Sequence, residues 1–417
     1  MSSQRYSFSP RFYNGTVAKE CVFNKSQNRH PLHTTQTKHH RKMYTEIRET
    51  SPLITHLQLK KPLTHDTELS CCNIYCIYIV SVVACLVIGG FIFVPWVFAE
   101  CSHELSPIPD TIYGFIPRTV AFGSCLDNEN PSHLLDKIHA DVFVFLGDNI
   151  YADTTSSLIM RWIYNRLSCK PTFQRLVKRT QHVLSIWDDH DYGQNDQGAT
   201  YVMKRISQQY FLDFWRIPAT SARRRKEGVY GSYTFTDRGV TVQIVMLDLR
   251  SFRDPLTVCT RAQGWYCPAD NGTMLGQDQW RWLEDTLERT NADLVIIASS
   301  TQYAVDEYGY ETWANFPHEQ ARLASLLNPN KTVIISGDVH WGEISLTPNG
   351  LYDITSSGIS QLDTQIIPNQ YRIGAPVVEF NYGMLDLRSM TASVIGQSGF
   401  TTAIKLDTVQ SPFASNQ

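Results

Sequence analysis

The stretch Val142-Phe-Val-Phe-Leu-Gly-Asp-Asn-Ile-Tyr151 decides the fold class. It begins with five apolar residues in a row, which is typical of a strand buried on both faces. Asp148 and Tyr151, whose oxygens can bind metal ions, follow soon after the apolar run. In α/β proteins, sites form beyond the carboxyl ends of strands. The stretch therefore predicts a buried strand with functional side chains at its end.

Three other apolar runs are also followed by residues that can bind metal ions. They are Thr119–Phe122 before Gly123-Ser-Cys125, His182–Trp187 before Asp188-Asp-His-Asp191, and Thr332–Ile335 before Gly337-Asp-Val-His340. A single acidic residue after a strand is often only the N-cap of the next helix. Four strands that all deliver such residues are hard to explain as caps, and they predict one polar cluster at a sheet edge.

The rest of the pattern alternates strands with helices, as α/β layering requires. Further strands are predicted at Val240–Leu247, Leu294–Ala298 and Leu351–Thr355, and Gly231–Phe235 is predicted to form a hairpin with the first of these. Helices are predicted at Ser132–His139, Ser157–Leu167, Thr200–Trp215, Gln277–Thr290 and His318–Leu327.

Charge is unevenly distributed along the 417 residues. Residues 1–73 hold eleven Lys and Arg against five Asp and Glu, a balance of +6, so the total of −3 leaves −9 for the remainder. The first 73 residues are polar without periodicity and are predicted to be a disordered cytosolic tail. A mildly acidic body argues against a nucleic-acid-binding surface, which needs clustered cations. An acidic body is what we expect if its carboxylates bind metal ions.

Residues 74–98 contain no charged side chain. About 20 apolar residues cross the core of a bilayer, so this run predicts one transmembrane helix that acts as a signal anchor. A signal peptide usually has a shorter apolar core near the N-terminus, and few soluble core helices are apolar on every face. Lys60 and Lys61 precede the run, whereas Glu100 and Glu104 follow it. This asymmetry predicts a single-pass type II protein with a lumenal or extracellular body.

The predicted organisation is a tail over 1–73, an anchor over 74–98, a linker over 99–117, a catalytic domain over 118–395 and a C-terminal tail over 396–417. The sequence does not decide between the plasma membrane and an endolysosomal membrane. It also leaves the oligomeric state open.

An oxidising compartment would allow disulfides and sugars. Cys259 and Cys267 are eight residues apart and are predicted to pair, with two free thiols as the alternative. Cys101 and Cys169 are a second candidate pair. Asn271 and Asn330 lie in Asn-X-Thr motifs, so both are predicted to be glycosylated.

The predicted cluster mixes several classes of metal ligand. Carboxylates and a phenolate are hard ligands, imidazole is intermediate, and the thiolate of Cys125 is soft. This mixture suits iron beside a harder cation. Two metals roughly 3.5–4 Å apart can hold the attacking and leaving oxygens of a phosphoryl transfer, with Asp148 as a bridge. A metal-bound hydroxide is then the expected nucleophile, and a non-ligating histidine can protonate the leaving oxygen.

These motifs resemble the calcineurin-like metallophosphoesterase superfamily and, within it, the PhoD-like alkaline phosphatase D family. The matching blocks are Phe122-Gly-Ser-Cys125, Leu146-Gly-Asp-Asn-Ile-Tyr151, Trp187-Asp-Asp-His-Asp191, Leu247-Asp-Leu-Arg-Ser-Phe-Arg253, Leu275-Gly-Gln-Asp-Gln-Trp-Arg-Trp-Leu283, Ser336-Gly-Asp-Val-His340 and Thr355-Ser-Ser-Gly358. The resemblance implies a β-sandwich flanked by helices. It also implies a metal-dependent phosphomonoesterase or phosphodiesterase. The chain departs from the family at Ser299-Ser-Thr-Gln302, where relatives often have an Asn-Gln pair.

The resemblance implies a role for each matching position. Iron would be held by Cys125, Asp148 and Tyr151, and a second metal of the calcium type by Asp189. Asn195, or Asp196 as the alternative, lies just downstream and would reach the second metal, and the cluster would be completed by Asp338 and His340. Asp189 and His190 would be catalytic, with His190 as the acid or the substrate-orienting group.

Arg250 is the predicted substrate-binding residue, because a guanidinium can bind a phosphate through two hydrogen bonds. The alternative for Arg250 is a salt bridge to Asp248 or Asp254.

The predicted function is hydrolysis of phosphate esters by a protein that contacts the membrane through residues 74–98. Hydrolysis of phospholipid head groups is an alternative that the predicted anchor favours. A non-catalytic membrane receptor on the same fold is the other alternative, and the intact set of ligands argues against it.

Overall fold

The computed structural model describes residues 101, 105–127, 133–259, 266–305 and 309–414. The predicted tail over 1–73 and the predicted anchor over 74–98 lie outside these ranges. Within the ranges, no helix has both the length and the apolar character needed to cross a membrane.

The described residues contain sixteen strands. They are β1 (Thr111–Tyr113), β2 (Thr119–Gly123), β3 (Val142–Leu146), β4 (His182–Ile186), β5 (Gly231–Asp237), β6 (Val240–Met246), β7 (Thr257–Val258), β8 (Tyr266–Cys267), β9 (Leu294–Ala298), β10 (Thr332–Ser336), β11 (Gly342–Leu346), β12 (Tyr352–Ser356), β13 (Arg372–Val377), β14 (Asn381–Asp386), β15 (Thr391–Gly396) and β16 (Thr401–Lys405).

Two sheets are built from these strands, and β7 and β8 form a separate ribbon. The larger sheet has the order β1-β5-β6-β9-β10-β12-β11-β13, and the smaller has the order β16-β15-β14-β2-β3-β4. Strands β6, β9, β10 and β12 run parallel to one another in the first sheet, as do β2, β3 and β4 in the second. The carboxyl ends of parallel strands meet at one edge, so each sheet gathers its strand-end residues in one place.

The two sheets pack face to face over a shared apolar core, and β3 shows why its sequence is apolar throughout. Val142, Val144 and Leu146 lie in the core between the sheets. Phe143 and Phe145 face the other way and pack against helices. Successive side chains of a strand point to opposite faces, so a strand with two buried faces has no polar positions. Burial of each such side chain contributes roughly 1.5–3 kcal/mol to stability.

Helices cover both outer faces of this sandwich. Those in the described ranges are α1 (Ser157–Cys169), α2 (Pro171–Arg179), α3 (Asp189–Tyr192), α4 (Lys204–Phe214), α5 (Gly276–Arg289) and α6 (Pro317–Leu326). Helices α1, α2 and α4 share an apolar cluster with the smaller sheet. Helices α5 and α6 share another with the larger sheet. The prediction of an α/β fold is confirmed.

Most predicted elements differ little from the observed ones. The seven main predicted strands agree with the observed bounds to within one residue at either end. The predicted helix Ser132–His139 is a 3₁₀ helix over His133–Lys137, and Thr200–Trp215 begins as a helix only at Lys204.

Several elements near the ends of the described body carry little sequence signal. The predicted linker over 99–117 contains β1, and the predicted tail over 396–417 contains β16, which pairs with β15. Strand β13, at the edge of the larger sheet, includes Gly374 and Pro376. Glycine and proline are depleted in strand interiors and are accommodated at edges. These short or edge strands therefore lack the continuous apolar run that marks β3.

Candidate metal centre

The strand ends bring the predicted ligands together, as the parallel pairing requires. Cys125 follows β2, Asp148 follows β3, and Asp338 and His340 follow β10 of the other sheet. These four residues have positive φ angles of 63°, 48°, 78° and 64° in that order. Such angles are uncommon for residues other than glycine and tend to occur at functional sites. Here they occur where the chain leaves a strand and turns into the cluster.

The first group of candidate ligands combines sulfur, oxygen and nitrogen. Ligand atoms of Cys125, Asp148 and His340 all lie within 4.8 Å of one another. The phenol oxygen of Tyr151 lies 3.3 Å from Asp148 Oδ2 and 3.2 Å from His340 Nε2. The three side chains predicted to hold an iron ion, Cys125, Asp148 and Tyr151, therefore lie together with His340.

The second group consists of carboxylates only. Ligand atoms of Asp148, Asp188, Asp189 and Asp338 lie within 4.8 Å of one another. Asp148 belongs to both groups, which is the arrangement that a carboxylate bridging two metals requires. Asp188 was not predicted as a ligand.

The acidic donors are buried together, which is unfavourable without a cation. Burial, reinforced by neighbouring carboxylates, raises the pKa of Asp148 and of Asp338 well above the usual range. Burial also raises the pKa of the Cys125 thiol to about 12 and the pKa of the Tyr151 phenol. Cations bound among these groups would stabilise their deprotonated forms.

Asp188 gives an independent indication that the donors fit a metal. Its Oδ2 is buried and has no hydrogen-bond partner among the described residues. Buried polar atoms normally have a partner. A buried carboxylate oxygen that accepts no hydrogen bond, and that lies among other oxygen ligands, is suited to bind a metal ion.

His190 lies at the mouth of the cluster with a partner of its own. Its Nδ1 is 2.7 Å from Oδ1 of Asp153, and its backbone N–H donates to Asp148 Oδ1 at 3.3 Å. A ligand atom of His190 also lies within 4.8 Å of ligand atoms of Asp148 and Asp189. Burial lowers the pKa of His190, but the charges of Asp148 and Asp189 outweigh it and raise the pKa to about 10.

A buried ionic network supports the carboxylates from behind. Arg250 is fully buried, with Nε 2.5 Å from Asp188 Oδ1 and Nη1 2.5 Å from Glu311 Oε2. Glu311 Oε1 in turn lies 2.7 Å from Nε of Arg253. Burial raises the pKa of Asp189, but the positive charges of Arg250 and His190 outweigh it and lower the pKa to about 2.

This network corrects both sequence-based interpretations of Arg250. A guanidinium with no exposed surface and three carboxylate partners, Asp188, Asp189 and Glu311, is not open to a substrate. Its ionic partners are also not Asp248 or Asp254, although its backbone N–H donates to Asp248 Oδ1 at 2.9 Å. The sequence could not reveal this, because Glu311 is 61 positions away along the chain.

Hydroxyl groups that the motifs did not single out hold the ligands in place. Ser357 Oγ lies 3.1 Å from Cys125 Sγ and accepts from the backbone N–H of His340 at 2.8 Å. Thr301 Oγ1 donates to Asp338 Oδ2 at 3.0 Å, and Ser300 Oγ donates to Asp188 Oδ1 at 2.6 Å. Ser300 and Thr301 belong to the segment 299–302, which departs from the family pattern described above. In this chain, hydroxyl groups contact the carboxylates at the place of the Asn-Gln pair.

The turn that contains Asn195 lies beside the carboxylate group. Asn195 itself is exposed, and the next residue, Asp196, donates its backbone N–H to Asp189 Oδ2 at 2.6 Å. Asp196 also accepts a hydrogen bond from the phenol of Tyr266. Tyr266 precedes Cys267, which forms a disulfide with Cys259 and closes the β7–β8 ribbon.

The other predicted modification sites lie on the surface of the body. A second disulfide joins Cys101 to Cys169 at the end of α1. Asn271 and Asn330 are both exposed.

The sheets, their helices and the shared carboxylate place the chain in the class of metallophosphoesterase-type α/β proteins. A sequence model described as PhoD-like phosphatase matches residues 159–362, so this part of the chain is similar to that family. The matched range includes Asp189, His190 and His340, whereas Cys125 and Asp148 precede it.

Two comparisons with individual proteins agree with this assignment. The chain is 23% identical over 296 residues to alkaline phosphatase D from Bacillus subtilis (strain 168), an alignment that covers 58% of this chain and 50% of the relative. The chain thus spans about half the length of that relative. A solved structure of PhoD superposes with a TM-score of 0.56 at 17% identity, covering 73% of this chain and 70% of that one. At that identity the structural likeness concerns the fold.

Proposed function

We propose that this protein hydrolyses phosphate esters, as a phosphomonoesterase or a phosphodiesterase, with two metal ions held at the strand ends. The observation that carries the proposal is the position of Asp148, which belongs both to the mixed donor group and to the carboxylate group. A structural or single-metal site needs no shared ligand. Two adjacent metals are the usual means of clamping the oxygens of a phosphoryl transfer.

The donor chemistry supports a different metal at each position. Cys125 and Tyr151 offer a thiolate and a phenolate beside His340, a set that favours iron over calcium or magnesium. Asp188, Asp189 and Asp338 offer only oxygens, which favours calcium, and Asn195 follows Asp189 by six residues. Such a metal pair supplies Lewis-acid polarisation of the phosphate and a nucleophile at neutral pH.

His190 is the group we assign to the leaving oxygen. Its Nδ1 donates to Asp153, which orients the ring, and in the imidazolium form Nε2 carries the second proton, which can be transferred. Tyr151 stacks against the imidazole, with ring centroids 4.2 Å apart, and restricts its rotation. Asp153 is therefore proposed to orient His190 without binding the metals itself.

Two further functions remain as alternatives to soluble ester hydrolysis. Phospholipid head groups are phosphodiesters, and a membrane-anchored body would meet them. A non-catalytic receptor is disfavoured, because such a protein has no need to retain buried carboxylates that repel one another.

For location, we propose a type II protein whose anchor is 74–98 and whose catalytic body lies outside the cytosol, at the plasma membrane or in the endolysosomal system. The disulfides Cys101–Cys169 and Cys259–Cys267 support a location of the body outside the cytosol, because disulfides persist in oxidising compartments.

The proposal is tested by assaying the purified full chain against an aryl phosphate, a bis-aryl phosphate and a phospholipid. The wild type should hydrolyse at least one of these, and Asp148→Asn should lose the activity. Asp136→Asn is the matched control, because Asp136 pairs with Arg175 on the surface. No turnover of any of the three by metal-loaded wild type would refute the proposed function.

A further inference from the structure

Exposed apolar side chains are concentrated in one region of the described surface. Among the described residues, ten large apolar side chains are exposed. Half of them lie on α1 or around the start of α4, namely Leu158, Ile159, Trp162, Val202 and Ile206. Single exposed apolar residues are normal on soluble proteins, whereas a cluster tends to mark an interaction surface. We call these five residues the α1–α4 face.

The two parts of the α1–α4 face are held next to each other. Tyr164 of α1 stacks on Phe214 of α4, with ring centroids 4.8 Å apart. Before the helices begin, the phenol of Tyr201 donates to the carbonyl of Thr154 at 2.5 Å. Thr154 is three residues before α1, and Tyr201 is three residues before α4. The N-terminal ends of both helices, which carry most of the exposed apolar residues, are therefore neighbours.

The charge on α1 matches an anionic partner. The helix contains Arg161 and Arg166 and no acidic residue, although the chain from residue 74 onward is acidic overall. The guanidinium of Arg166 lies over the ring of Trp162, 4.9 Å from its centroid. Tryptophan and arginine beside aliphatic residues form the composition of helices that lie in a membrane interface.

A covalent link ties α1 to the segment nearest the predicted anchor. Cys101 forms a disulfide with Cys169 at the C-terminal end of α1, and its backbone N–H lies 3.3 Å from Asn165 Oδ1 of the same helix. Only two residues, Ala99 and Glu100, separate position 98, where the predicted anchor ends, from Cys101. The three steps from position 98 to Cys101 span at most ~11 Å. An anchor over 74–98 would therefore hold α1 close to the bilayer surface.

From these observations we infer that the α1–α4 face rests on the bilayer, among anionic phospholipid head groups. The inference depends on the proposed anchor but not on the proposed activity. Thr154, which joins the two parts of the face, follows Asp153, the partner of His190. The face therefore borders the mouth of the metal centre and holds it beside the membrane surface, where phosphoesters of lipids are concentrated.

The test locates the contacts between lipid and protein directly. The full chain is reconstituted into vesicles that contain phosphatidylserine and a phospholipid with a photoactivatable group near the head group. After irradiation, cross-linked peptides are identified by mass spectrometry. We expect labels on 157–166 and on 202–206, in addition to labels on 74–98 that report the anchor.

Two charge-introducing variants make the result specific. Trp162→Glu should reduce labelling of 157–166 severalfold, whereas Phe400→Glu should not, because Phe400 is also exposed but lies outside the α1–α4 face. Thermal unfolding of both variants should match the wild type, which excludes misfolding as the cause. Labelling of 74–98 without labelling of 157–166 in the wild type would overturn the inference, as would undiminished labelling of Trp162→Glu. Absence of labels on 74–98 would instead refute the anchor.

Discussion

Nδ1 of His190 lies 2.7 Å from Oδ1 of Asp153, a residue on the loop that also carries Asp148 and Tyr151. The loop bends at Asp153, whose φ is 42°. One loop therefore supplies a candidate ligand to both metals and a carboxylate that orients the candidate acid. A shift of this loop would disturb binding and proton transfer together.

Substituting the orienting carboxylate should weaken catalysis without removing the metals. We expect Asp153→Asn to lower kcat by about 10–100-fold, the usual effect of losing a partner that orients a functional group. The loss should grow as the leaving group becomes more basic, because a poorly held His190 transfers its proton less efficiently. Steady-state kinetics with a series of aryl phosphates measures the loss of kcat and its dependence on the leaving group. Metal analysis shows whether the variant retains its metals. An equal loss for all leaving groups would argue against the orienting role.

Removing the imidazole itself should have a larger effect. General acid catalysis contributes about 10²–10⁴-fold, so His190→Ala should lose kcat within that range while KM changes little. Normal turnover by this variant would show that the acid is another group. His318→Ala is a suitable control, because His318 is exposed and its Nε2 lies 2.8 Å from the carbonyl of Gly272 on the surface.

The protonation of His190 should report metal binding. In the metal-free protein, burial lowers its pKa, but the charges of Asp148 and Asp189 outweigh this and raise it to about 10 from the ordinary 6.5. Since the folded value is the higher one, the imidazolium stabilises the metal-free protein fully below pH 6.5, and this stabilisation is lost as the pH rises through about 10. Metals should neutralise the carboxylates and lower the pKa. NMR titration of histidine-labelled protein with and without metals measures the shift, and an unchanged pKa would contradict it.

The buried ionic network should be important for stability. Arg250→Met leaves Asp188 buried without its cation and Glu311 with only Arg253 as an ionic partner. Breaking a buried pair in this way costs about 3–5 kcal/mol. Arg281→Met removes an exposed pair with Asp278 and should cost about 0–1 kcal/mol. Urea unfolding of both variants gives the comparison. Equal stabilities would mean that the network carries little energy.

The parts of the fold that could be predicted are those in which burial leaves a pattern in the sequence. Strand β3 packs on both faces, so every residue in Val142–Leu146 is apolar and its bounds could be predicted. Strand β16 lies at the edge of its sheet and is exposed at alternate positions, so it has no continuous apolar run to distinguish it from a tail.

The same reasoning applies to the metal centre. Ligands next to strand ends, such as Asp148 and His340, were visible because an apolar run precedes each of them. Asp188 stands beside Asp189, and sequence spacing alone could not tell that both face the cluster. Ser357 and Glu311 act through contacts with residues distant in sequence, and those contacts exist only once the sheets have packed.

The most direct test of the central claim is the metal content of the purified chain, measured by elemental mass spectrometry on wild type and on Asp148→Asn. If Asp148 bridges two metals, the wild type should contain about two ions per chain, with iron and calcium as the proposed pair. Asp148→Asn should lose both ions together, whereas Asp136→Asn should retain them. Wild-type protein that takes up neither iron nor calcium, or an Asp148→Asn variant that keeps both ions, would contradict a shared two-metal centre.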